Sequence, residues 1–333
     1  MSRVRGPRRP RRLERGALIA ALLTALSLTA SGCVVVHGER VVLPSADRAE
    51  AQKALDDFTA AYNAADKAND RSLDAGHVTG ALGAIDGARL KAGHVNSPSG
   101  NAAHTPLTLT DARFTIPKKA GWPRWFLADA KGNKGGAARW LLVFTRAGLG
   151  EKWRVAYLTL VAPGDVPKFE VDADGWARAV PARSAGLAVA PGDLSRAYAT
   201  YLKNGGKGFA AGVHTTGWRK LRAGSASRPG LATQFIDEPL TGGDFAPLAL
   251  RTADGGALVF FATHHYQKQT AAPGATVPAP NQDVRALTTG EIKQSLTMEF
   301  VSNETALDPP GGAGDGQVSI VGRVQGLTAA QGG

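Results

Sequence analysis

The sequence predicts an α+β protein with two small domains, each built from an N-terminal helix followed by an antiparallel sheet. Three observations support this fold class. Apolar residues recur at helical spacing after residue 45 and again after residue 193, strand-like segments follow each helix, and a segment rich in Pro, Gly and Ala separates the two halves. The length of 333 residues also favours two domains, because domains typically hold roughly 50–200 residues.

The N-terminal residues combine a basic segment with an apolar one. Seven arginines and one glutamate lie within residues 3–15, and residues 16–36 carry no charged side chain. The only cysteine of the chain, Cys33, follows the small residues Ser31 and Gly32. A basic segment, an apolar core and then small residues are typical of a signal peptide and its cleavage site.

The hexapeptide at residues 28–33, Leu-Thr-Ala-Ser-Gly-Cys, resembles the lipobox of a bacterial lipoprotein signal peptide. The resemblance implies that residues 1–32 are removed and that the sulfur of Cys33 receives a diacylglyceryl group. Residues 33–44 then form a lipidated tether, which spans at most roughly 40 Å. Because two acyl chains hold a protein durably on a membrane, the resemblance implies a protein anchored to the outer face of the cytoplasmic membrane.

An uncleaved membrane helix is the alternative for the same segment. Residues 16–36 are long enough to cross a bilayer, and the arginines before them agree with the positive-inside rule. The position of Cys33 directly after small residues favours cleavage. Both interpretations place the rest of the chain outside the cytoplasm.

Residues 45–180 form the first predicted domain. Asp47 and Glu50 have the spacing of a capping box, and apolar residues at three-four spacing follow them in a predicted helix. A second helix, interrupted by glycines, is predicted over 78–90. Strands rich in aromatic and β-branched residues are predicted at 107–110, 125–127, 139–145 and 153–161. The last strand is apolar on both faces, so we expect it to be covered on two sides.

A linker at 181–192 precedes the second predicted domain, residues 193–328. Asp193 is placed to cap a helix, and Asp254-Gly255 has the composition of a tight hairpin turn. Strands are predicted at 245–251, 257–266, 296–302 and 317–324. Segments rich in Pro, Gly and Ala at 270–283 and 308–316 are predicted loops, and 329–333 is predicted to be a flexible tail.

A helix followed by antiparallel strands, twice over, resembles two domains of the nuclear-transport-factor-2-like (NTF2-like) or cystatin-like fold. Lys152-Trp153-Arg154-Val155 carries the most specific part of this likeness, because that family often places a Trp-x-Val there. The resemblance implies curved sheets, and it keeps open a small enzyme or a small-molecule pocket. Taken whole, the Ala- and Gly-rich chain resembles uncharacterised secreted lipoproteins of actinobacteria, which implies a location and no reaction.

Charge and motif content narrow the functional classes. Most of the net charge of +11 lies in the N-terminal arginine segment, and no stripe of cations and aromatics follows it, so nucleic acid is not a predicted partner. Among seven histidines only His264 and His265 are adjacent, and neighbours on a strand point to opposite faces. No metal site and no cofactor are predicted. No nucleophile motif is present, so no catalytic residue is predicted either.

Two places remain as candidate binding sites. In Gly121-Trp122-Pro123-Arg124-Trp125 the indole rings of Trp122 and Trp125 suit stacking on a sugar or peptide, and Arg124 suits pairing with a carboxylate or phosphate. Core packing of these tryptophans is the alternative. His264 is the other candidate, on the expectation that the histidine pair has one inward, hydrogen-bonded member and one solvated member.

The sequence thus predicts a lipid-anchored, non-catalytic module that binds an envelope component or a partner protein. A small enzyme is the first alternative and a bare spacer domain is another. An open, polar-lined cavity would favour ligand binding, whereas a deep pocket with a convergent Asp/His pair would favour catalysis.

Overall fold

The computed structural model describes residues 41–312 and 316–333. Within it, Val42–Gly333 forms one compact unit. This unit combines helices with largely antiparallel sheets, which confirms the predicted α+β class. The predicted signal peptide, Cys33 and most of the predicted tether lie outside the described residues.

The N-terminal half contains two helices and a four-stranded antiparallel sheet. A short strand β1 (Leu43–Pro44) pairs with β3 (Lys118–Lys119), and helices α1 (Arg48–Ala68) and α2 (Gly80–Asn96) lie between them in the chain. The first main sheet has the order β2-β4-β5-β6. Its strands are β2 (Leu109–Thr115), β4 (Arg124–Gly132), β5 (Arg139–Arg146) and β6 (Arg154–Val161).

Local capping explains where α1 begins and ends. The carboxylate of Asp47 accepts a hydrogen bond of 2.7 Å from the backbone N–H of Glu50, which is one half of the predicted capping box. The Glu50 carboxylate accepts instead from Arg146 and Trp153. At the other end Asn69 adopts a left-handed conformation with φ of 51°, which asparagine tolerates better than most residues. Both helices and all four strands predicted before residue 180 are present, with ends that differ by a few residues.

The C-terminal half contains a larger, seven-stranded sheet. Helix α3 (Leu194–Asn204) leads into a short π-helix (Val213–Gly217) and helix α4 (Trp218–Ser225), and α5 (Gln282–Leu287) lies between two strands of the sheet. The strand order is β11-β13-β12-β10-β8-β7, with β9 also paired to β10. The strands are β7 (Ser227–Arg228), β8 (Leu231–Leu240), β9 (Leu248–Arg251), β10 (Ala257–Ala271), β11 (Thr288–Thr289), β12 (Ser295–Asp308) and β13 (Ser319–Gly332).

The structure differs from the sequence prediction in this half. Helix α3 and the β9–β10 hairpin at Asp254-Gly255 were predicted, whereas α4, α5 and β8 were not. The predicted tail is instead the end of β13, where Ala330 is buried and pairs with Met298 of β12. A tail that completes a strand ladder satisfies its backbone groups, so it remains ordered.

The four-stranded sheet is an inner layer of the unit. On one face, Phe58 of α1 packs with Phe126 and other apolar side chains of the sheet. On the other face, Val143 belongs to the same buried cluster as Phe260 of the seven-stranded sheet. The expectation that β6 is covered on two sides is therefore confirmed, since its residues contribute to both clusters.

The two predicted halves share a core. The hydroxyl groups of Thr159 on β6 and Thr305 on β12 form a buried hydrogen bond of 2.5 Å between the two sheets. Leu187, within the predicted linker, is buried in a cluster that packs α3 against the outer face of the seven-stranded sheet. The domain boundary at 181–192 stays a prediction. Buried apolar clusters of the compact unit contain residues from both sides of this segment.

Candidate functional site

The structure separates the two tryptophans of the predicted binding surface. Trp125 is only 3% exposed and packs in the core between the two sheets, which is the packing alternative. Trp122 is half-buried, with the guanidinium groups of Arg124 and Arg146 at 4.9 and 5.2 Å from its ring centre. Arg124 also donates a hydrogen bond of 3.3 Å to the carbonyl of Pro44. Trp122 and Arg124 therefore lie together beside β1, without Trp125.

The buried member of the histidine pair is His265 rather than the candidate His264. His265 is 2% exposed and stacks on Phe300 at 4.8 Å between ring centres, and its Nδ1 has no hydrogen-bond partner. His264 lies on the opposite face, half-buried, with its Nε2 3.7 Å from a carboxylate oxygen of Glu299. His264 thus lies near a carboxylate but outside the buried cluster that holds His265.

His265 belongs to a cluster of buried charges on the outer face of the seven-stranded sheet. We call this the ionic cluster; its members are Arg222, Asp237, His265, Glu304 and Arg323. The guanidinium of Arg222 donates to both carboxylate oxygens of Asp237, at 2.7 and 2.9 Å. Arg323 lies 3.6 Å from Glu304, and the ring of Trp218 lies 4.9 and 4.2 Å from the guanidinium carbons of Arg222 and Arg323.

Burial determines the protonation states in the ionic cluster. It raises the pKa of Glu304 to about 7, although the nearby Arg323 favours the charged form. Burial, together with the charges of Arg222 and Arg323, lowers the pKa of His265 to about 2, so its imidazole is neutral at physiological pH. The cluster therefore joins α4 to β8 through a firm ion pair, and it joins β12 to β13 through an ion pair that titrates near neutrality.

An open cleft of about 850 Å³ lies at the end of the four-stranded sheet. Its floor comes from β2, β4 and β5, and the loop after β6 forms one wall with the apolar side chains of Val166, Pro167 and Phe169. Four cationic residues and one acidic residue line it: Arg113, Lys131, Arg139, Lys168 and Asp129. The lining thus combines an apolar wall with an excess of positive charge.

A network of ion pairs fixes the floor of this cleft. The Nε of Arg139 donates to Asp129 at 2.6 Å, and its Nη1 donates to Asp111 at 2.8 Å. The hydrogen bond from Arg139 holds the pKa of Asp111 below its usual value. Lys131 and Lys168, in contrast, are exposed and form no ion pair with any described residue. Arg139 is thus committed to the fold, whereas the two lysines are free to meet a ligand.

Neither a metal centre nor a membrane span emerges from residues 41–312 and 316–333. In these ranges no three His, Cys, Asp or Glu side chains converge as an ion would require. None of the helices described there has the length and apolarity needed to cross a bilayer.

Sequence reasoning named neither the cleft nor the ionic cluster. Glu304 carried a signal, because it is a charged residue inside an otherwise uncharged strand segment, Val301-Ser302-Asn303-Glu304-Thr305-Ala306. Such a residue usually needs a buried partner. Lys131 and Lys168 carried no such signal, because they are far apart in the sequence. The loop after β6 brings Lys168 to the same cleft as Lys131.

Comparison with known proteins gives a consistent picture. The family described as a domain of unknown function, DUF8094, matches residues 42–332. A protein of Streptomyces coelicolor named an uncharacterised lipoprotein is 71% identical over 332 residues, covering 100% of both chains. One from Streptomyces avermitilis with the same name is 60% identical over 332 residues, again with 100% coverage of both chains.

A more distant relative and the solved structures complete the comparison. Another Streptomyces coelicolor protein named an uncharacterised lipoprotein is 31% identical over 214 residues, which is 60% of this chain and 59% of the relative. No solved structure matches the chain, so the NTF2-like resemblance stays a prediction. The full-length identities define an actinobacterial lipoprotein, as the resemblance predicted. The chain belongs to the DUF8094 family.

Proposed function

We propose that this lipoprotein is held on the outer face of the cytoplasmic membrane through Cys33 and binds an acidic ligand of the cell envelope in the open cleft. The observation that carries this proposal is the composition of the cleft, in which cations outnumber carboxylates four to one beside an apolar wall. The relatives' names support lipid attachment. A non-catalytic binding role agrees with this lining.

The geometry of the cleft favours a small or oligomeric ligand. Its volume of about 850 Å³ falls within the range of roughly 300–1,000 Å³ that is typical of ligand pockets. Lys131 and Lys168 are flexible point charges, which suit phosphate or carboxylate groups. Val166 and Phe169 offer apolar surface to the uncharged part of the ligand. A ligand with acidic groups on a short carbon or sugar backbone fits both features.

Binding is tested by calorimetry with defined probes. We expect glycerol-phosphate oligomers or oligogalacturonate to bind the protein, and their uncharged counterparts, oligoglycerol and oligogalactose, not to bind. Lys131→Gln/Lys168→Gln should weaken binding at least about tenfold, since each lost charge contact is worth on the order of 1 kcal/mol. Lys203→Gln/Lys220→Gln, which changes two exposed lysines outside the cleft, is the matched control. Equal binding of charged and uncharged probes would overturn the proposal.

Lipid attachment needs a separate experiment. Cells that express the wild-type chain should incorporate radiolabelled fatty acid into it, and Cys33→Ala should abolish the label because the acceptor sulfur is gone. Mass spectrometry of the mature amino terminus should find a modified Cys33 as the first residue. Equal labelling of both chains, or a native protein that keeps its arginine-rich leader, would contradict the anchor and favour the uncleaved helix.

A further inference from the structure

The chain joins the compact unit at a fixed place on its surface. In β1, Leu43 is paired with Lys119 and Pro44 with Lys118, and the next residue, Ser45, donates its backbone N–H to the carbonyl of Pro117 at 3.0 Å. Arg124 also donates a hydrogen bond to the carbonyl of Pro44, which further fixes the position of β1. The described chain therefore starts beside the Trp122–Arg124 pair.

A surface of distinct composition surrounds this start. We call it the junction patch and define it by Val42, Leu43, Lys119, Trp122 and Arg124. The aliphatic residues Val42 and Leu43 are 58% and 45% exposed. The half-buried Trp122 ring lies beneath the guanidinium of Arg124, which in turn donates a hydrogen bond to the carbonyl of Pro44, next to Leu43.

The junction patch carries unneutralised positive charge. The neighbouring Lys118 is held by Asp172 and Asp174, at 2.7 and 3.1 Å. Lys119 and Arg124, in contrast, form no ion pair with any residue of the described chain. Exposed aliphatic residues, a tryptophan and free cations are the side chains that proteins place at the interface between water and an anionic membrane.

The length of the tether brings this patch close to the lipid. Nine Cα-to-Cα steps lead from Cys33 to Val42, and even a fully extended chain of that length reaches at most about 32 Å. The compact unit has an expected radius of gyration of about 19 Å, so its diameter exceeds this reach. If Cys33 is lipidated, the surface around β1 is the part of the unit that the tether holds nearest to the bilayer.

We propose that the junction patch lies against the headgroup layer of the membrane, with Trp122 at the interface and with Lys119 and Arg124 facing the phosphates of anionic lipids. This inference rests on lipid attachment at Cys33 and is independent of the ligand in the cleft. It gives the Trp122–Arg124 pair a role in orienting the protein. The open cleft then keeps a defined orientation relative to the membrane.

Fluorescence quenching by brominated lipids tests the contact. The mature lipidated protein is reconstituted into vesicles of headgroup-proximal dibromo-phosphatidylcholine, either alone or mixed equally with phosphatidylglycerol. The signal of Trp122 is the difference between the wild type and Trp122→Phe. We expect Trp122 to be quenched, more strongly in the anionic vesicles, and Lys119→Gln/Arg124→Gln to lose that increase.

Two controls keep the outcome decisive. Lys220→Gln/Lys268→Gln, which removes two exposed charges elsewhere, should retain the increase, and 0.5 M NaCl should remove it from the wild type because exposed charges are screened. The salt experiment needs no variant to fold.

Vesicle flotation checks anchoring first, and a protein that fails to float overturns both the anchor and the patch. A floating protein whose Trp122 is unquenched in both vesicles overturns the patch alone and leaves a protein partner as its occupant.

Discussion

Arg222 and Asp237 form a two-pronged ion pair, with N–O distances of 2.7 and 2.9 Å, in which both side chains are more than 90% buried. The pair joins helix α4 to strand β8, two elements that the sequence did not predict. Charged partners removed from water depend on each other, because either one alone would be a buried, uncompensated charge. The position of α4 over the sheet therefore depends on this pair.

Removing the carboxylate of this pair should be costly. We expect Asp237→Ala to lower the free energy of unfolding by about 3–5 kcal/mol, since it leaves the Arg222 guanidinium buried and unpaired. Urea denaturation measures the change. Glu170→Ala breaks an exposed ion pair with Arg178 and should cost less than about 1 kcal/mol. Similar losses in both variants would show that the Arg222–Asp237 pair does not secure α4.

A buried carboxyl pair in the N-terminal half should make stability depend on pH. Asp74 and Asp86 are both buried, and the Oδ2 atom of each has no hydrogen-bond partner. Burial, and next the hydrogen bond with the Asp86 carboxyl, raises the pKa of Asp74 to about 8. Two interacting carboxyl groups in a buried site are costly to ionise together, which explains why the folded protein retains a proton on Asp74.

The sign of the pH effect follows from this raised pKa. Between pH 4 and 8 the folded state keeps a proton on Asp74 that the unfolded state has lost, so the free energy of unfolding falls as pH rises through this window. Asp74→Asn removes the titration, and its stability relative to wild type should improve by at least about 1.4 kcal/mol from pH 5 to pH 8. Asp56→Asn, on the exposed side of α1, is the control. Stability curves that stay parallel over this range would refute a proton retained on Asp74.

The inner sheet should depend strongly on one phenylalanine. Phe126 is fully buried, stacks on Phe144 with ring centres 4.8 Å apart, and meets Trp153 edge to face at the same distance. Phe126→Ala should lower the free energy of unfolding by about 3–5 kcal/mol, since it removes contacts and leaves a cavity. Thermal denaturation followed by near-ultraviolet circular dichroism measures it. Leu149→Ala, at a residue 89% exposed, should have almost no effect.

Contact between the two sheets can be tested at a single glycine. A β-carbon added to Gly322 on β13 would lie 2.9 Å from Cγ1 of Val161 and 3.2 Å from Cβ of Thr159, both on β6. Gly322→Ala should therefore destabilise the unit by about 1–3 kcal/mol through overpacking. Gly208→Ala, where the added carbon meets no atom within 4 Å, should be neutral or slightly stabilising. An unaffected Gly322→Ala would mean that the sheets are not in close contact there.

Local sequence signals predicted the elements whose ends depend on neighbouring residues. The Asp47 cap set the start of α1, and Asp254-Gly255 set the β9–β10 hairpin. Each is decided by hydrogen bonds or torsion angles within a few residues, so it can be recognised without the rest of the chain. Helix α4 gave no comparable signal, because it is held by Arg222 pairing with Asp237 and packs around charges rather than on an apolar stripe.

The candidate sites likewise differ in whether their residues are close together in the sequence. The Trp122–Arg124 pair could be recognised in the sequence because the two residues are only two positions apart. The burial of Trp125, in contrast, depended on which face of β4 the second sheet covers. The cleft was invisible, since its lysines come from a strand and a distant loop.

The amino-acid sequence by itself determined the α+β class, the start of helix α1 at its Asp47 cap, and the lipoprotein-like start of the chain, because each depends on short-range patterns of polarity and residue size. Only the tertiary structure decided that the two sheets share one core, that His265 rather than His264 is buried, and that Lys131 and Lys168 border a common cleft. The physical reason is that burial and charge proximity depend on which distant segments pack together, and that packing is set by the whole chain.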